Sequence, residues 1–147
     1  MCDIEKLNDG VIIPNPPPPF LFGLVIKVRD YETDSQGIVN NANYLHYLEM
    51  TRHAFCEWRG YSFSQMSNDG IVAVMRKIEM EYLRSLHGGE LFISYVNVER
   101  EGPRFMFHQS LYSLDGKLIV KARATIVATH DGRLTKGDEL ASRLNVN

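Results

Sequence analysis

The segment from Asn41 to Trp58, NANYLHYLEMTRHAFCEW, constrains this chain more than any other. At helical spacing it carries Tyr44, Leu45, Tyr47, Leu48, Phe55 and Trp58, all large and apolar or aromatic. Only His46, Glu49, His53 and Glu57 fall together as a polar stripe. A helix apolar around most of its circumference has to be enclosed. A flat layer covers one side only, so whatever packs against this helix must curl round it. Gly60, just past Trp58-Arg59, suits the left-handed C-cap that ends such a helix.

Strands are available to do the enclosing. Leu24 to Tyr31 alternates Ile26 and Val28 with Lys27 and Arg29, as a half-buried strand does. After a Tyr61 to Gly70 connector with a short helical turn come four strand-like runs: Ile71 to Arg84, Glu90 to Arg100, Arg104 to Leu114, and Lys117 to Thr129. HGG at 87–89, EGP at 101–103 and Asp115-Gly116 separate them, the last read as a type I′ hairpin. Short turns between neighbours predict a meander. The expected fold class is therefore α+β: a five-stranded antiparallel sheet round one long helix, with a short helix from Asp138 to Leu144. In the last strand Leu118, Val120, Ala122, Ala124, Ile126 and Ala128 share a face, and its alanines let a bulky helix lie close. The sheet's edge strands stay open, and pairing between two copies would cover them.

Residues 1–21 read as an N-terminal extension, with Pro16 to Pro19 favouring a polyproline arm, and 22–147 as one domain. Val11 to Ile13 are able to pair at a sheet edge, although a loosely held tail is the plainer expectation. Cys2 and Cys56 are the only cysteines and form no CxxC pair, which points to free thiols and a reducing compartment. No signal-peptide pattern or membrane-length apolar run is present, so a cytoplasmic location is expected. A net charge of −2 argues against a nucleic-acid binder. The five histidines form no HExxH or paired motif, and no metal site is expected.

Chemistry, if present, belongs to the loop before the helix, YETDSQGIVNN. By composition alone Asp34 reads best as an Asx-turn residue and Asn40 or Asn41 as a helix cap. A second reading fits the same residues. Asp34 follows a strand end, Gly37 permits a tight turn and close approach of a ligand, and Asn41 and Ala42 offer backbone N–H groups at the positive end of the helix. A carboxylate facing such donors outlines an acyl-transfer site, the acid activating water or attacking directly.

The stretch YETDSQGIVNNANYLHYLEMTR resembles the hotdog-fold acyl-CoA thioesterases, in the 4-hydroxybenzoyl-CoA thioesterase-like and YbgC-like group. It supplies Tyr31, Thr33-Asp34, Gly37, Val39, Asn41-Ala42, Tyr44, and Glu49 with Arg52. The likeness continues through IEMEYLRSLHGGELFISYVNVEREG and LDGKLIVKARATIVATHDGRL, from Phe22 to about Leu134. It implies a sheet curled round the central helix, and an acyl-CoA thioesterase that releases free acid and CoA. It further implies Asp34 as general base or nucleophile, the Asn41 N–H as oxyanion donor, and Gly37 as the turn between them. Tyr44 is expected at the substrate, and Arg84 and Arg123 are among the basic residues available to CoA phosphates. Coenzyme A enters as part of the substrate, with no separate cofactor. The resemblance also implies a homodimer or homotetramer with sites at the subunit interface. Many relatives have Tyr-His where this chain has Asn40-Asn41. Val39-Asn40-Asn41 is also similar to acyl-ACP thioesterases, which usually place a histidine where Ile38 stands. Acyl-ACP hydrolysis and acyl-CoA binding without turnover are the alternatives. A hotdog hydratase is weaker, because the Thr33 to Asn41 loop holds no histidine. Glu49 with Arg52 is expected as a structural ion pair or helix-surface contact rather than a second catalytic acid.

Overall fold

The computed structural model describes residues 6–7 and 10–147, with side chains from residue 10 onward; Cys2 and the first residues of the 1–21 extension lie outside them. The strands are β1 (Lys6–Leu7), β2 (Gly10–Ile12), β3 (Phe22–Lys27), β4 (Ile71–Tyr82), β5 (Leu91–Glu101), β6 (Arg104–Ser113), β7 (Leu118–His130) and β8 (Arg133–Leu134). The helices are α1 (Asn41–Trp58), α2 (Phe63–Asn68) and α3 (Asp138–Leu144), with a 3-10 turn at Asp30–Glu32.

Helix α1 spans the expected residues for local reasons. Asn40, extended, accepts the Ala42 N–H on its side-chain oxygen at 2.9 Å, a standard N-cap bond. At the other end Gly60 takes φ +87°, its N–H donates to the Glu57 carbonyl, and the Tyr61 N–H reaches back to Cys56. This pair of bonds is the Schellman termination. Ser62 and Gln65 form a capping box that starts α2 inside the connector.

The antiparallel sheet runs β1-β2-β3-β5-β6-β7-β4, with β8 on β7. Two expectations are corrected here. Among the described residues the sheet has its five long strands plus three of two or three residues, not five alone. The edge alternative for the extension is the one realised, since Val11 pairs with Val25 and Ile12 with Leu24. The meander is also incomplete. Strand β5 joins β3 and β6, whereas β4 pairs with β7 at the far edge. Turns of two or three residues oblige β5, β6 and β7 to be neighbours. The eight residues from Leu83 to Glu90 reach about 26 Å when extended, enough to cross the roughly 14 Å of three strand spacings.

The 115–116 hairpin differs too. Only Gly116 has positive φ, at +85°, whereas a type I′ turn needs two such residues. The loop is three residues long, with Ser113 N–H bonded to Lys117 O and Gly116 N–H to Ser113 O.

The core lies between α1 and the inner face of the sheet. Phe55 is fully buried, its ring 6.1 Å from Phe22 and 6.2 Å from Phe107. On β7, Val120, Ala122, Ala124, Ile126 and Ala128 are buried against it, as the pattern predicts. The helix is less enclosed than its composition suggests. Leu45, 40% exposed, flanks the polar stripe, and Trp58, 44% exposed, ends the helix with its ring 5.2 Å from that of Phe22. A curled sheet of one chain wraps the inner half of α1 only.

Candidate active site

The loop ahead of α1 folds into a small ribbon. Thr33 pairs with Val39, and the Asp34 N–H donates to Ile38 O at 2.9 Å. Gly37 turns the chain with φ +77° and donates to Asp34 O at 3.0 Å. Asp34 Oδ1 accepts the Gln36 N–H at 2.8 Å and the Ile38 N–H at 3.4 Å. So Asp34 is a turn residue, with one oxygen. Its Oδ2 has no hydrogen-bond partner among the described residues, and the side chain is exposed.

The ribbon is pinned to the helix head. Glu32 O accepts both the Asn40 N–H at 3.2 Å and Asn43 Nδ2 at 2.7 Å. Of the helix-start amides, Ala42 is taken by the Asn40 cap and Asn43 by Asn40 O. That leaves the Asn41 N–H, exposed and without an acceptor among the described residues, at the positive end of an 18-residue helix.

Gly37 serves conformation more than clearance. A Cβ added there meets no atom within 4 Å, so substitution is opposed by the backbone angle alone. We expect Gly37→Ala to cost about 1–2 kcal/mol, the penalty for a left-handed non-glycine residue, and to lower kcat/KM because the strain falls on the Asp34 turn. Thermal unfolding and kinetics on one preparation check this; an active, equally stable variant would refute it.

Tyr44 is 2% exposed, and its hydroxyl accepts the Leu86 N–H at 3.0 Å. It braces the 86–89 segment from inside. Tyr47, one turn on, buries its hydroxyl without a completed hydrogen bond; desolvation, with the Glu32 charge adding, pushes this phenol well above its usual range. Arg84 is exposed, with only its backbone bonded, to Ile119 O. Arg123 lies on the face of β7 turned away from α1, where Nη2 donates to both Glu79 oxygens at 3.1 and 3.2 Å. The structure thus places Asp34 and Gly37 on the ribbon and the Asn41 N–H at the helix head to which the ribbon is pinned, with Tyr44 bonded to the 86–89 segment and Arg123 elsewhere.

The expected Glu49–Arg52 ion pair is not among the described contacts. Arg52 turns inward, 5% exposed, and Nη1 donates to Gln109 Oε1 at 2.9 Å, while Gln109 Nε2 donates to Leu48 O at 3.0 Å. Burial lowers its pKa, partly offset by the Glu49 charge. Glu49 stays outside, 3.6 Å from His53. Three residues along a helix is about 300° of rotation, so the two side chains need not meet once one is claimed by the core.

Sequence reading passed over the 87–89 segment as a mere separator. It is stitched to the ribbon: Ile38 pairs with His87, Val39 N–H donates to Leu86 O at 2.9 Å, and Gly88 N–H to Gly37 O at 3.1 Å. Nothing local announces a contact between residues about fifty positions apart.

Comparison with known proteins places the chain in a family. A family model described as the thioesterase-like superfamily matches residues 28–139. YneP of Bacillus subtilis, provisionally named an acyl-CoA thioesterase, is 33% identical over 101 residues, 68% of this chain and 73% of its own length. A chloroplastic acyl-acyl carrier protein thioesterase of Arabidopsis thaliana, ATL2, is 31% identical over 104 residues, covering 69% of this chain and 55% of that protein. Among solved structures, YbaW of Escherichia coli, provisionally titled a thioesterase, superposes with TM-score 0.73 at 27% identity, over 83% of this chain and 95% of that one.

Proposed function

This chain belongs to the thioesterase-like superfamily and is a thioester hydrolase, and from that premise we propose that it cleaves acyl-CoA at the Asp34 ribbon. The observation that carries this reading is that Asp34 Oδ2, on the ribbon, and the Asn41 N–H, at the helix head to which the ribbon is pinned, both lack a partner among the described residues. The thioester oxygen accepts from the Asn41 N–H, where the helix dipole stabilises the charge that grows on it. One such donor contributes about 3 kcal/mol of barrier lowering. Asp34 Oδ2 then either removes a proton from the attacking water or attacks the carbonyl itself, forming an acyl-aspartyl anhydride that water opens. Coenzyme A is part of the substrate, not a resident cofactor.

Arg84 is the cation we assign to CoA phosphates, since it is exposed two residues ahead of the 86–89 segment that is bonded to the ribbon, and has no ion-pair partner among the described residues. Arg123 is a second contact only by exchanging Glu79 for phosphate. Tyr44 acts on substrate indirectly in this reading, by holding the segment beneath the loop.

A homodimer or larger assembly completes the proposal. Strand β4 is a free edge of 12 residues, with Val72 and Val74 55% and 36% exposed along it. Pairing two β4 edges covers these side chains and closes the open ladder. We expect light scattering to give at least twice the chain mass, and Val72→Lys with Val74→Lys to shift it to one. A wild-type mass of a single chain would sink this part of the proposal.

CoA release from short, long and benzoyl acyl-CoAs tests the activity. The burial that pushes the Cys56 thiol up to about 12 keeps it out of a thiol assay on folded protein. The Arabidopsis relative favours a second reading, with acyl carrier protein as the acyl donor. Turnover of acyl-ACP with none of any acyl-CoA decides for it.

A further inference from the structure

The ribbon has two faces, and alternation assigns side chains to them. Val39 is 3% exposed and points into the core, so Ile38 points to the other side. Asp34 stands opposite Ile38 across one strand gap, and His87 opposite it across the other. Residues directly opposed in antiparallel strands project to the same side. Asp34 and His87 therefore flank Ile38 on one face, their Cα atoms roughly 10 Å apart at two strand spacings. Side chains of this length reach a group bound over Ile38 from either side.

His87 is arranged for proton transfer. Its backbone N–H donates to Glu90 Oε1 at 3.1 Å, and its Nδ1 lies 3.4 Å from that same oxygen. The carboxylate lies beside Nδ1, while Nε2 is without a partner among the described residues, on a side chain 65% exposed. The other charged groups round the segment are Asp34, Arg84, and Asp30, whose Oδ1 lies 3.6 Å from a Cβ built on Gly88.

The geometry points to His87 as the acid that protonates the departing sulfur. This rests on the Asp34 reading above and holds for either of its routes. As the acyl carbon gains its new C–O bond, the C–S bond breaks and its electron pair stays on sulfur. The Nε2 proton moves to that sulfur, giving the free thiol and neutral imidazole, which recovers a proton from solvent as the attacking water's proton is released. Between free groups such a transfer runs downhill, an imidazolium being a stronger acid than a thiol by about two pKa units.

The test compares acyl-CoA with the 4-nitrothiophenyl ester of the same acid, whose thiolate leaves without needing a proton. His87→Gln is expected to lower kcat/KM on acyl-CoA about 100-fold, the low end of acid–base contributions, and to leave the aryl thioester within a few-fold of wild type. Glu90→Gln, which keeps an oxygen for the His87 N–H, shows the same selectivity more weakly. Equal loss on both esters, or no loss on either, overturns the assignment. Asp34→Asn, run beside them, separates the two failures. If it abolishes both activities while His87→Gln matches wild type, only the His87 role falls; if it is harmless, the Asp34 reading falls first.

Discussion

Asp34→Asn is expected to lower kcat/KM for acyl-CoA by about 10²–10⁴, the range for a positioned acid or base, with little change in stability. The choice of asparagine is dictated by the turn. Its side-chain oxygen still accepts the Gln36 and Ile38 N–H groups that Asp34 Oδ1 holds now, so the ribbon survives. What is lost is the negative charge and the basicity of the second oxygen. Unfolding of wild type and variant in urea, measured beside CoA release, keeps the two effects apart. Full activity in a folded Asp34→Asn protein would reduce Asp34 to a turn residue and remove the centre of the proposed mechanism. Single-turnover hydrolysis in oxygen-18 water then separates the routes, since label entering Asp34 requires the anhydride.

Phe55→Ala is expected to destabilise the fold by about 3–5 kcal/mol, the range for emptying a fully packed aromatic site. The Phe55 ring is fully buried between Phe22 on β3 and Phe107 on β6, so its removal empties a space lined by rings from two strands. For a chain near this length each kcal/mol lowers Tm by about 2–4 °C, so a fall of about 10 °C is expected. A loss below about 1 kcal/mol would mean that α1 does not seat against the sheet through this ring. Trp58→Ala is the contrast. Its ring is 44% exposed, and a smaller cost is expected from it in a single chain.

Several features were legible because their causes are local. The limits of α1 follow from an asparagine cap and a glycine that adopts positive φ, both nearest-neighbour effects. The turn chemistry at Asp34 and Gly37 involves hydrogen bonds across two to four residues. Strand limits were right to within a few residues because side chains alternate with period two. The misreadings share the opposite property. Asp115-Gly116 invites a type I′ turn, yet the strands it joins settle into a three-residue loop. Glu49 and Arg52 sit at a spacing that suits an ion pair, yet Gln109, fifty-seven residues on, takes the guanidinium.

The same division runs through the site. The residues from Tyr31 to Arg52 carry, in order, a carboxylate, a turning glycine and a helix start, and this order alone raises the expectation of an acid ahead of helix-start N–H groups. Whether Asp34 keeps an unengaged oxygen, which amide stays free, and that His87 stands on the same face as the acid were decided by tertiary structure. The reason is physical. Caps and turns draw their free energy from groups a few bonds apart along the chain, so the sequence encodes them directly. Strand order, the crossing of residues 83–90 and the ribbon they complete depend on pairings between distant segments, selected only when the whole core closes round α1.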